Sequence, residues 1–357
     1  MTLSCLGVVI VTFNSADVIL DCIESLLAAQ DVELTIVIVD NGSTDDTVPL
    51  LRKWAAGLVL DPLSADIPFD LTPTPKPIPL WNPDLPLPIG VADHHIILIE
   101  AEVNAGFAAG VNRGLAYLAK QGQLDRFWIL NPDSVVPPQT PAAFATAATP
   151  ASGFSLMGSR VIYLTTPDII QIDGGTINFY TGVTSNVNLG ASHQSTPAAN
   201  PDKFDFITGA SLVASRTFYE KAGPLCEDYF LYYEEVDWAM RRGNLPLAYC
   251  AAAIVYHRAG TAIGSATLKR PASPFSTYFK HRSRIMFIRK FSARSLPIAL
   301  LWSLLKSSQL FLKGYREEAK AMLTASMNLP PPPSVQSDIL ENKAAIFKAQ
   351  LQNHQQG

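Results

Sequence analysis

The sequence has few cysteines, and their spacing indicates no metal or disulfide framework. Four cysteines are scattered over 357 residues, without a CxxC pair or the His–Cys spacing of a zinc site. We interpret them as reduced, mostly buried thiols. The amino terminus has no basic region before an apolar stretch and no small-residue cleavage site, so we predict a cytoplasmic protein. The net charge of −4 excludes an overall nucleic-acid-binding surface.

The composition excludes general disorder. Hydrophobic residues make up 48% of the chain and charged residues 16%, which is typical of a globular protein. A chain of this length can bury a large core, either as two domains or as one large domain with an appendage.

Short β-branched runs alternate with amphipathic segments in the first 134 residues. Residues 6–12 and 35–39 are continuous apolar runs, and similar runs follow at 96–99 and 127–130. This order predicts an α/β fold with a doubly wound parallel sheet, in which ligands bind beyond the carboxyl ends of the strands.

Polar residues directly after the first two strands are candidate helix caps. Asn14 or Ser15 is expected to cap the first helix, and Ser43 or Thr44 to begin the second.

Changes in composition divide the chain into three predicted parts, 1–265, 266–329 and 330–357. The first part has a nucleotide-binding half up to residue 134 and an acceptor-binding half after it. Many prolines mark residues 60–95 as an extended or looped insertion. The last part should hold a Pro-rich break, a short helix and a flexible tail.

The second part is basic. No Asp or Glu occurs between Arg258 and Arg316, which favours a negatively charged neighbour. Residues 296–312 are apolar but contain Lys306, Gln309 and three serines, so an interfacial helix is favoured over a membrane span.

Seven motifs occur in a fixed order along the chain. They are VTFN at 11–14, VDNGSTD at 39–45, NAGFAAGVNRG at 104–114, LNPD at 130–133, TGA at 208–210, FLYYEEVDW at 230–238 and YH at 256–257. In this order they resemble family 2 glycosyltransferases, particularly the bacterial rhamnosyltransferase-like branch, over roughly residues 5–290. The resemblance implies a GT-A fold: a Rossmann-like, mixed but mainly parallel sheet flanked by helices, here with a C-terminal helical extension.

The resemblance also implies which residues bind the nucleotide-sugar donor. They are Thr12, Phe13, Asn14, Asp40, Asn41, Asn104, Gly106, Phe107, Asn112, Asn131 and Arg282. A carboxylate at a strand end accepts hydrogen bonds from a base or ribose, and glycines permit close backbone approach to a ligand. The structural alternatives are a helix-capping turn at 40–43 and tight helix packing at 104–114. Arg282 or Arg284 is expected to close over the diphosphate, or else to belong to a basic membrane-facing surface.

Residues 131–134 occupy the place of the family's Asp-x-Asp metal motif, with Asn131 in place of the first acid. Asp133 is then the motif's only strong ligand for Mn²⁺ or Mg²⁺, and the resemblance makes His257 the second. The alternative for His257 is a structural histidine.

Glu234, Glu235 and Asp237 form an acidic cluster, in which crowding raises one carboxyl pKa. Placed against the family's acidic pair, Glu235 is the catalytic base, although many relatives have Asp there. Asp237 lies four residues before Arg241, so we predict a helical ion pair. The alternative for the cluster is a solvated helix start. The remaining predicted acceptor-binding residues are Thr208, Gly209, Ala210, Glu234 and Trp238.

The sequence therefore predicts an inverting, metal-dependent transfer in which Glu235 deprotonates an acceptor hydroxyl. The resemblance favours dTDP-rhamnose as donor, with a UDP-sugar second, and a lipid-linked bacterial glycan as acceptor at the inner face of the plasma membrane. That placement adds an anionic membrane surface as a partner. A non-catalytic nucleotide-sugar-binding protein is the rival. A sugar nucleotidyltransferase would need a Gly-rich, Arg-containing loop after the first strand, and residues 14–18 differ from that.

Overall fold

A computed structural model describes residues 3–60, 62–64, 66–81, 83, 94–258 and 272–341. The strands are β1 (Ser4–Thr12), β2 (Val32–Asp40), β3 (Leu80–Trp81), β4 (His94–Glu100), β5 (Arg126–Leu130), β6 (Ser134–Val135), β7 (Leu156–Tyr163), β8 (Ile170–Ile172), β9 (Gly175–Ile177), β10 (Thr184–Asn186), β11 (Ser211–Ser215) and β12 (Ala248–His257). The helices are α1 (Ile19–Leu27), α2 (Thr47–Ala55), α3 (Phe107–Ala119), α4 (Thr140–Thr146), α5 (Arg216–Ala222), α6 (Glu234–Met240), α7 (Pro274–Phe291), α8 (Leu296–Leu312), α9 (Arg316–Ser326) and α10 (Pro333–Glu341).

One mixed sheet organises the described part of the chain, with strand order β3-β4-β2-β1-β5-β11-β7-β12-β6 and β8 paired to β7. The run from β3 to β5 is parallel throughout. Its central strands are apolar along their length because helices cover both faces, and Val8, Ile10, Ile36 and Ile38 are fully buried. The predicted mainly parallel α/β sheet is confirmed.

The second half of the sheet reverses direction and thereby assembles a site. β11 runs antiparallel between β5 and β7, and β12 is parallel to β7 and antiparallel to β6. In this register His257 at the end of β12 lies opposite Ser134, the residue after Asp133. The strand pairing therefore brings together two residues that are more than 120 positions apart in sequence.

The predicted helix caps are wrong. α1 and α2 begin at Ile19 and Thr47, and neither has a side-chain cap at its N-cap position. The side chains of Asn14 and Ser43 instead hydrogen-bond across the two loops that follow β1 and β2. The side chains of Asn14 and Ser43, which the sequence predicts to cap helices, therefore hold the two loops together.

The described part of the Pro-rich insertion is mostly extended and is anchored on α1 by Glu24, whose carboxylate is fully buried. The carboxylate accepts hydrogen bonds from Trp54 Nε1 at 2.7 Å, from the Thr74 amide at 2.7 Å and from Lys76 Nζ at 2.6 Å. The insertion also reaches the end of β12, where Phe69 packs on Tyr256 with ring centroids 5.9 Å apart.

Four helices, α7 to α10, lie in the described range 272–341. α7 packs on α9, α8 and the residues just before α6, and α8 spans the predicted residues 296–312. Ala293–Leu312 is the one helical stretch in the described ranges that is long and apolar enough to cross a bilayer, with a hydropathy of 1.3 and 22% of it buried. The predicted flexible tail lies mostly outside the described residues.

Candidate active site

Polar residues at the carboxyl ends of β1 and β2 form a bonded cluster around Asp40. The carboxylate accepts hydrogen bonds from Thr12 Oγ1 at 3.0 Å and from the Ser43 hydroxyl and amide at 2.6 and 2.9 Å. Asp40 is 3% exposed, and its bonds to Ser43 close the turn at residues 40–43 without capping a helix. The carboxylate remains a negative group at the strand end expected to hold the nucleotide.

Asn14 adopts a left-handed conformation at φ 49° and ties the two loops together. Its Oδ1 accepts a hydrogen bond from the Thr44 amide at 2.8 Å, and its own amide donates to the Ser43 hydroxyl at 2.9 Å. Phe13 lies between this residue and β1. Residues 12–14 and 40–45 thus share one edge of the sheet, as the sequence predicts.

The start of α3 is held against the same edge by two amides. Asn104 Oδ1 accepts hydrogen bonds from Asn41 Nδ2 at 3.1 Å and from the Gly106 amide at 2.9 Å. Asn41 Nδ2 also donates to the Gly106 carbonyl at 2.9 Å. Asn41 Oδ1 is buried without a hydrogen-bond partner in the described residues, so this site keeps one unused acceptor.

The Gly106–Phe107 turn contacts the acidic motif directly. Gly106 has φ 96°, and the Phe107 amide donates to the Phe230 carbonyl at 3.0 Å. The backbone of the predicted donor loop therefore packs on the segment that leads to Glu235.

Asp133 and His257 form the centre of the predicted metal site. Asp133 Oδ1 lies 3.0 Å from His257 Nε2, and Asn131 Nδ2 lies 3.2 Å from the same nitrogen. His257 Nδ1 lies 2.9 Å from Gln171 Oε1. Since an amide oxygen only accepts, Nδ1 carries the proton, and in the neutral ring the Nε2 lone pair faces the carboxylate.

This donor set fits a divalent cation. A carboxylate oxygen and an imidazole nitrogen that face each other are both acceptors, and a cation between them removes their repulsion. The described residues contain no group of three or more His, Cys, Asp or Glu side chains arranged for a metal. Asp133 and His257 would hold the ion, with the remaining coordination positions open to a diphosphate and water.

Residues Thr208–Ala210 lie between the metal pair and the acidic motif. The Asn131 amide donates to the Ala210 carbonyl at 3.0 Å, and the Ala210 amide donates to Thr208 Oγ1 at 3.3 Å. A β-carbon on Gly209 would lie 4.0 Å from the Glu235 carboxyl carbon and 3.5 Å from the Phe107 ring. One short loop thus bonds the residue that begins the 131–134 motif and also lies near the predicted base.

Glu235 is partly buried in the first turn of α6. Burial raises the pKa of its carboxyl to about 7, although the amides of Glu235 and Val236 and the charge of Lys280 act in the opposite direction. Burial and the neighbouring carboxylate raise the pKa of Glu234 well above its ordinary value. Glu234 is 4% exposed, and its Oε2 has no hydrogen-bond partner in the described residues. A solvated helix start does not describe this pair.

The segment before α6 has an unusual backbone. Phe230, Tyr232 and Tyr233 have φ values of 65°, 65° and 72°, in the left-handed region that bulky residues rarely adopt. Such strain costs about 1–3 kcal/mol per residue and is retained where surrounding contacts enforce it. The Tyr233 hydroxyl donates to the Gly182 carbonyl at 2.6 Å, and the Tyr232 hydroxyl lies 2.5 Å from Ser276 Oγ.

Lys280 and Gln171 are site residues that sequence reasoning missed. On α7, Ser276 and Ser283 bond to the segment before α6, and Lys280 lies between them on the same helical face. Within the described ranges, the Lys280 ammonium has no hydrogen-bond or ion-pair partner. The only sequence signal for Gln171 is one polar residue between two buried isoleucines of β8.

Three residues predicted to contact donor, acceptor or diphosphate bond other parts of the protein. The Asn112 amide bonds the Leu225 backbone and Glu227. Trp238 is fully buried, and its Nε1 donates to the Gly223 carbonyl at 2.9 Å. Arg284 is 1% exposed and bonds Thr181 and Ser303.

Arg282 and Asp237 are two further residues for which the sequence predicts a role. Arg282 is half-buried and donates to the Asp228 carbonyl at 2.9 Å, so it braces the segment before α6. The predicted ion pair between Asp237 and Arg241 is confirmed at 2.8 Å, and Lys290 contacts the same carboxylate at 2.5 Å.

Comparisons with known proteins agree with this site. Residues 7–65, which include β1, β2 and the Asp40 cluster, match the model described as Glycosyl transferase family 2. No curated protein matches the chain by sequence. The matched residues cover the first two strands and the Asp40 cluster, whereas the acidic motif and the Asp133–His257 pair lie outside them.

Three solved structures show a distant likeness. Staphylococcus aureus TarS is 14% identical, with 79% of this chain and 39% of that chain covered at a TM-score of 0.44. TarS 1–349 in complex with UDP-GlcNAc is 16% identical, with coverage of 90% and 79% and a TM-score of 0.46. A Pyrobaculum calidifontis mannosyltransferase in complex with GDP-Man and Mn²⁺ is 16% identical, with coverage of 96% and 79% and a TM-score of 0.48. The chain thus spans 39% of the length of the first of these TarS chains.

Proposed function

We propose that this enzyme transfers a sugar from a nucleotide diphosphate to an acceptor hydroxyl, with inversion at the anomeric carbon. The observation that supports the proposal is that one loop, Thr208–Ala210, lies near Glu235 and also bonds Asn131, two residues before Asp133 of the Asp133–His257 pair. A base and a diphosphate-binding site joined by one short loop suit a single in-line displacement.

The chain's residues supply the proton transfer and the positioning. The Glu235 carboxylate takes the proton of the acceptor hydroxyl, and the oxygen forms a bond to the anomeric carbon while the bond from that carbon to the phosphate oxygen breaks. The electron pair of the broken bond leaves with the nucleotide diphosphate. A carboxyl with a pKa of about 7 is suited to this task near neutral pH, because it is substantially ionised and still basic.

A divalent cation, Mn²⁺ or Mg²⁺, would be held by Asp133 and His257. When bound, it supplies positive charge that stabilises the departing diphosphate. Gln171 fixes the His257 ring so that Nε2 is presented to the ion. Asp40 and the Asn41–Asn104 pair hold the nucleotide at the adjoining strand ends.

The proposed donor is dTDP-rhamnose, with a UDP-sugar as the alternative, and both follow from the resemblance of the seven motifs. The proposed acceptor is a lipid-linked bacterial glycan at the cytoplasmic face of the plasma membrane. The basic segment after residue 258, which contains no acidic residue as far as Arg316, supports an acceptor carried on an anionic surface.

A donor panel tests the proposal. Release of nucleotide diphosphate is measured with dTDP-rhamnose, UDP-sugars and GDP-mannose, each with Mn²⁺, with Mg²⁺ and with a chelator. We expect release with one donor class and loss of release with the chelator. Tight donor binding without any release, in the presence of an acceptor extract, would instead support a non-catalytic nucleotide-sugar-binding protein.

A further inference from the structure

α8 is an amphipathic helix that packs its small and polar face on the protein and exposes its apolar face. The residues it buries against the protein are small or polar, namely Ala299, Ser303 and Ser307. Ser307 donates to the Ala319 carbonyl of α9 at 2.8 Å, and the Arg284 guanidinium of α7 bonds Ser303. The inner face of α8 is therefore a polar seam, which leaves its large apolar side chains on the outside.

The outer face carries a row of exposed apolar side chains. They are Ile298, Leu301, Leu304, Leu305, Phe311 and Leu312, between 47% and 85% exposed. At 100° per residue they cover an arc of about 140° on one side of the helix. A soluble surface rarely presents so many large apolar residues side by side unless something covers them.

The charged residues from Arg294 to Lys313 have one sign. Lys306 and Lys313 are exposed and lie about 60–80° beyond one edge of the arc, and Arg294 is exposed just before the helix. No acidic residue occurs between Arg258 and Arg316. An apolar row on a helix whose own charged residues are all cations is complementary to a surface that is apolar inside and negative outside.

We infer that α8 binds flat on an anionic lipid surface, with its outer row in the acyl boundary and Lys306 and Lys313 at the headgroups. The inference rests on the helix alone and does not depend on the proposed reaction. Spanning is disfavoured because it would strip α8 from the bonds of Ser303, Ser307 and Arg284. Pairing with a second copy is disfavoured because it would bring the lysines together without any carboxylate from this segment.

Vesicle binding of the full chain tests this inference. Co-sedimentation is measured with phosphatidylcholine vesicles and with vesicles that also contain phosphatidylglycerol, at low and high salt. We expect binding to the anionic vesicles only, reversed by high salt, because each lysine near such a surface contributes an approximately fivefold gain in partitioning.

Matched variants locate the contact. Leu301→Glu with Leu305→Glu should lower binding to anionic vesicles by more than about tenfold, because two buried leucines are replaced by anions. The control is Leu58→Glu with Leu60→Glu, which changes two exposed leucines outside α8 and should leave binding unchanged. Lys306→Gln with Lys313→Gln should lower binding roughly 10- to 30-fold on anionic vesicles.

Several results would overturn the inference. One is equal binding to neutral and anionic vesicles. Another is binding that resists both high salt and alkaline carbonate, as expected of a spanning helix. A third is an equal loss of vesicle binding in the α8 leucine variant and in the Leu58/Leu60 control. A molar mass in solution that halves in the α8 leucine variant would assign the row to a second copy. Nucleotide diphosphate release on a soluble acceptor is measured in parallel, so that failure of the proposed reaction and failure of vesicle binding are read separately.

Discussion

A β-carbon on Gly106 would lie 2.6 Å from the Phe230 carbonyl oxygen. The loop at 104–107 and the segment before α6 therefore approach each other closely, and Gly106 also has a φ of 96°, which favours glycine. We expect Gly106→Ala to lower the free energy of unfolding by about 2–4 kcal/mol, from left-handed strain plus overpacking, and to abolish transfer. Gly190→Ala is the control, because Gly190 has φ 79° and open space, so it should lose only about 1–2 kcal/mol. Equal losses in chemical denaturation would show that the contact with Phe230 is not tight.

Glu235→Gln removes the base but keeps the shape of the side chain. Turnover should fall at least about 100-fold, while affinity for the nucleotide diphosphate stays within roughly twofold. Rapid-mix kinetics and calorimetry measure the two quantities. Rates near wild type would remove Glu235 from the mechanism, and inactivation by Glu234→Gln alone would move the base by one residue.

The pH profile follows from the raised pKa of Glu235. The base acts only when ionised, so kcat/KM should rise with pH and level off above a midpoint of about 7. The charge of Lys280 lowers that pKa, so Lys280→Gln should shift the midpoint to higher pH. Lys53→Gln, an exposed lysine on α2, is the control and should leave the profile unchanged. A Lys280→Gln profile that is unshifted, or shifted to lower pH, would contradict this electrostatic role.

Asp133→Ala and His257→Ala should each weaken Mn²⁺ binding in the presence of nucleotide diphosphate, because the described site has only these two strong ligands. Gln171→Ala keeps both ligands but frees the His257 ring, so we expect a loss of about 10- to 100-fold. Calorimetry with Mn²⁺ measures all three, and Glu235→Gln should retain wild-type metal affinity. Unchanged affinity in His257→Ala would return this histidine to a structural role.

Glu24 should be the main anchor of the Pro-rich insertion. Glu24→Ala removes the partner of Trp54 Nε1 and of the Thr74 amide and leaves the Lys76 ammonium with only the Thr74 carbonyl, so the free energy of unfolding should fall by about 3–5 kcal/mol. The surface pair of Arg216 and Glu220 gives the control, and Glu220→Gln should change stability by less than about 1 kcal/mol. Thermal denaturation measures both variants. Equal small shifts in Tm for Glu24→Ala and Glu220→Gln would mean that contacts other than those of Glu24 anchor the insertion.

The sequence by itself determined the sheet's parallel half and the order of its motifs. Uninterrupted apolar runs such as residues 6–12 are typical of central strands in a parallel sheet that is covered on both faces. Because Asp40 and Asn131 come at the ends of such runs, the sequence also predicts that they lie at strand ends. The Asp237–Arg241 ion pair could also be predicted from sequence, because residues four apart on a helix are neighbours.

Only the tertiary structure decided which polar groups are shared between distant segments. Asn112, Trp238 and Arg284 have the residue types of a ligand site, but long-range hydrogen bonds to other segments occupy them. Gln171 and Lys280 entered the site because β8 and α7 dock beside it, and no local pattern encodes that docking. The physical reason is that a polar side chain bonds whatever the fold brings within about 3 Å, and sequence spacing fixes such distances only within one helix or strand.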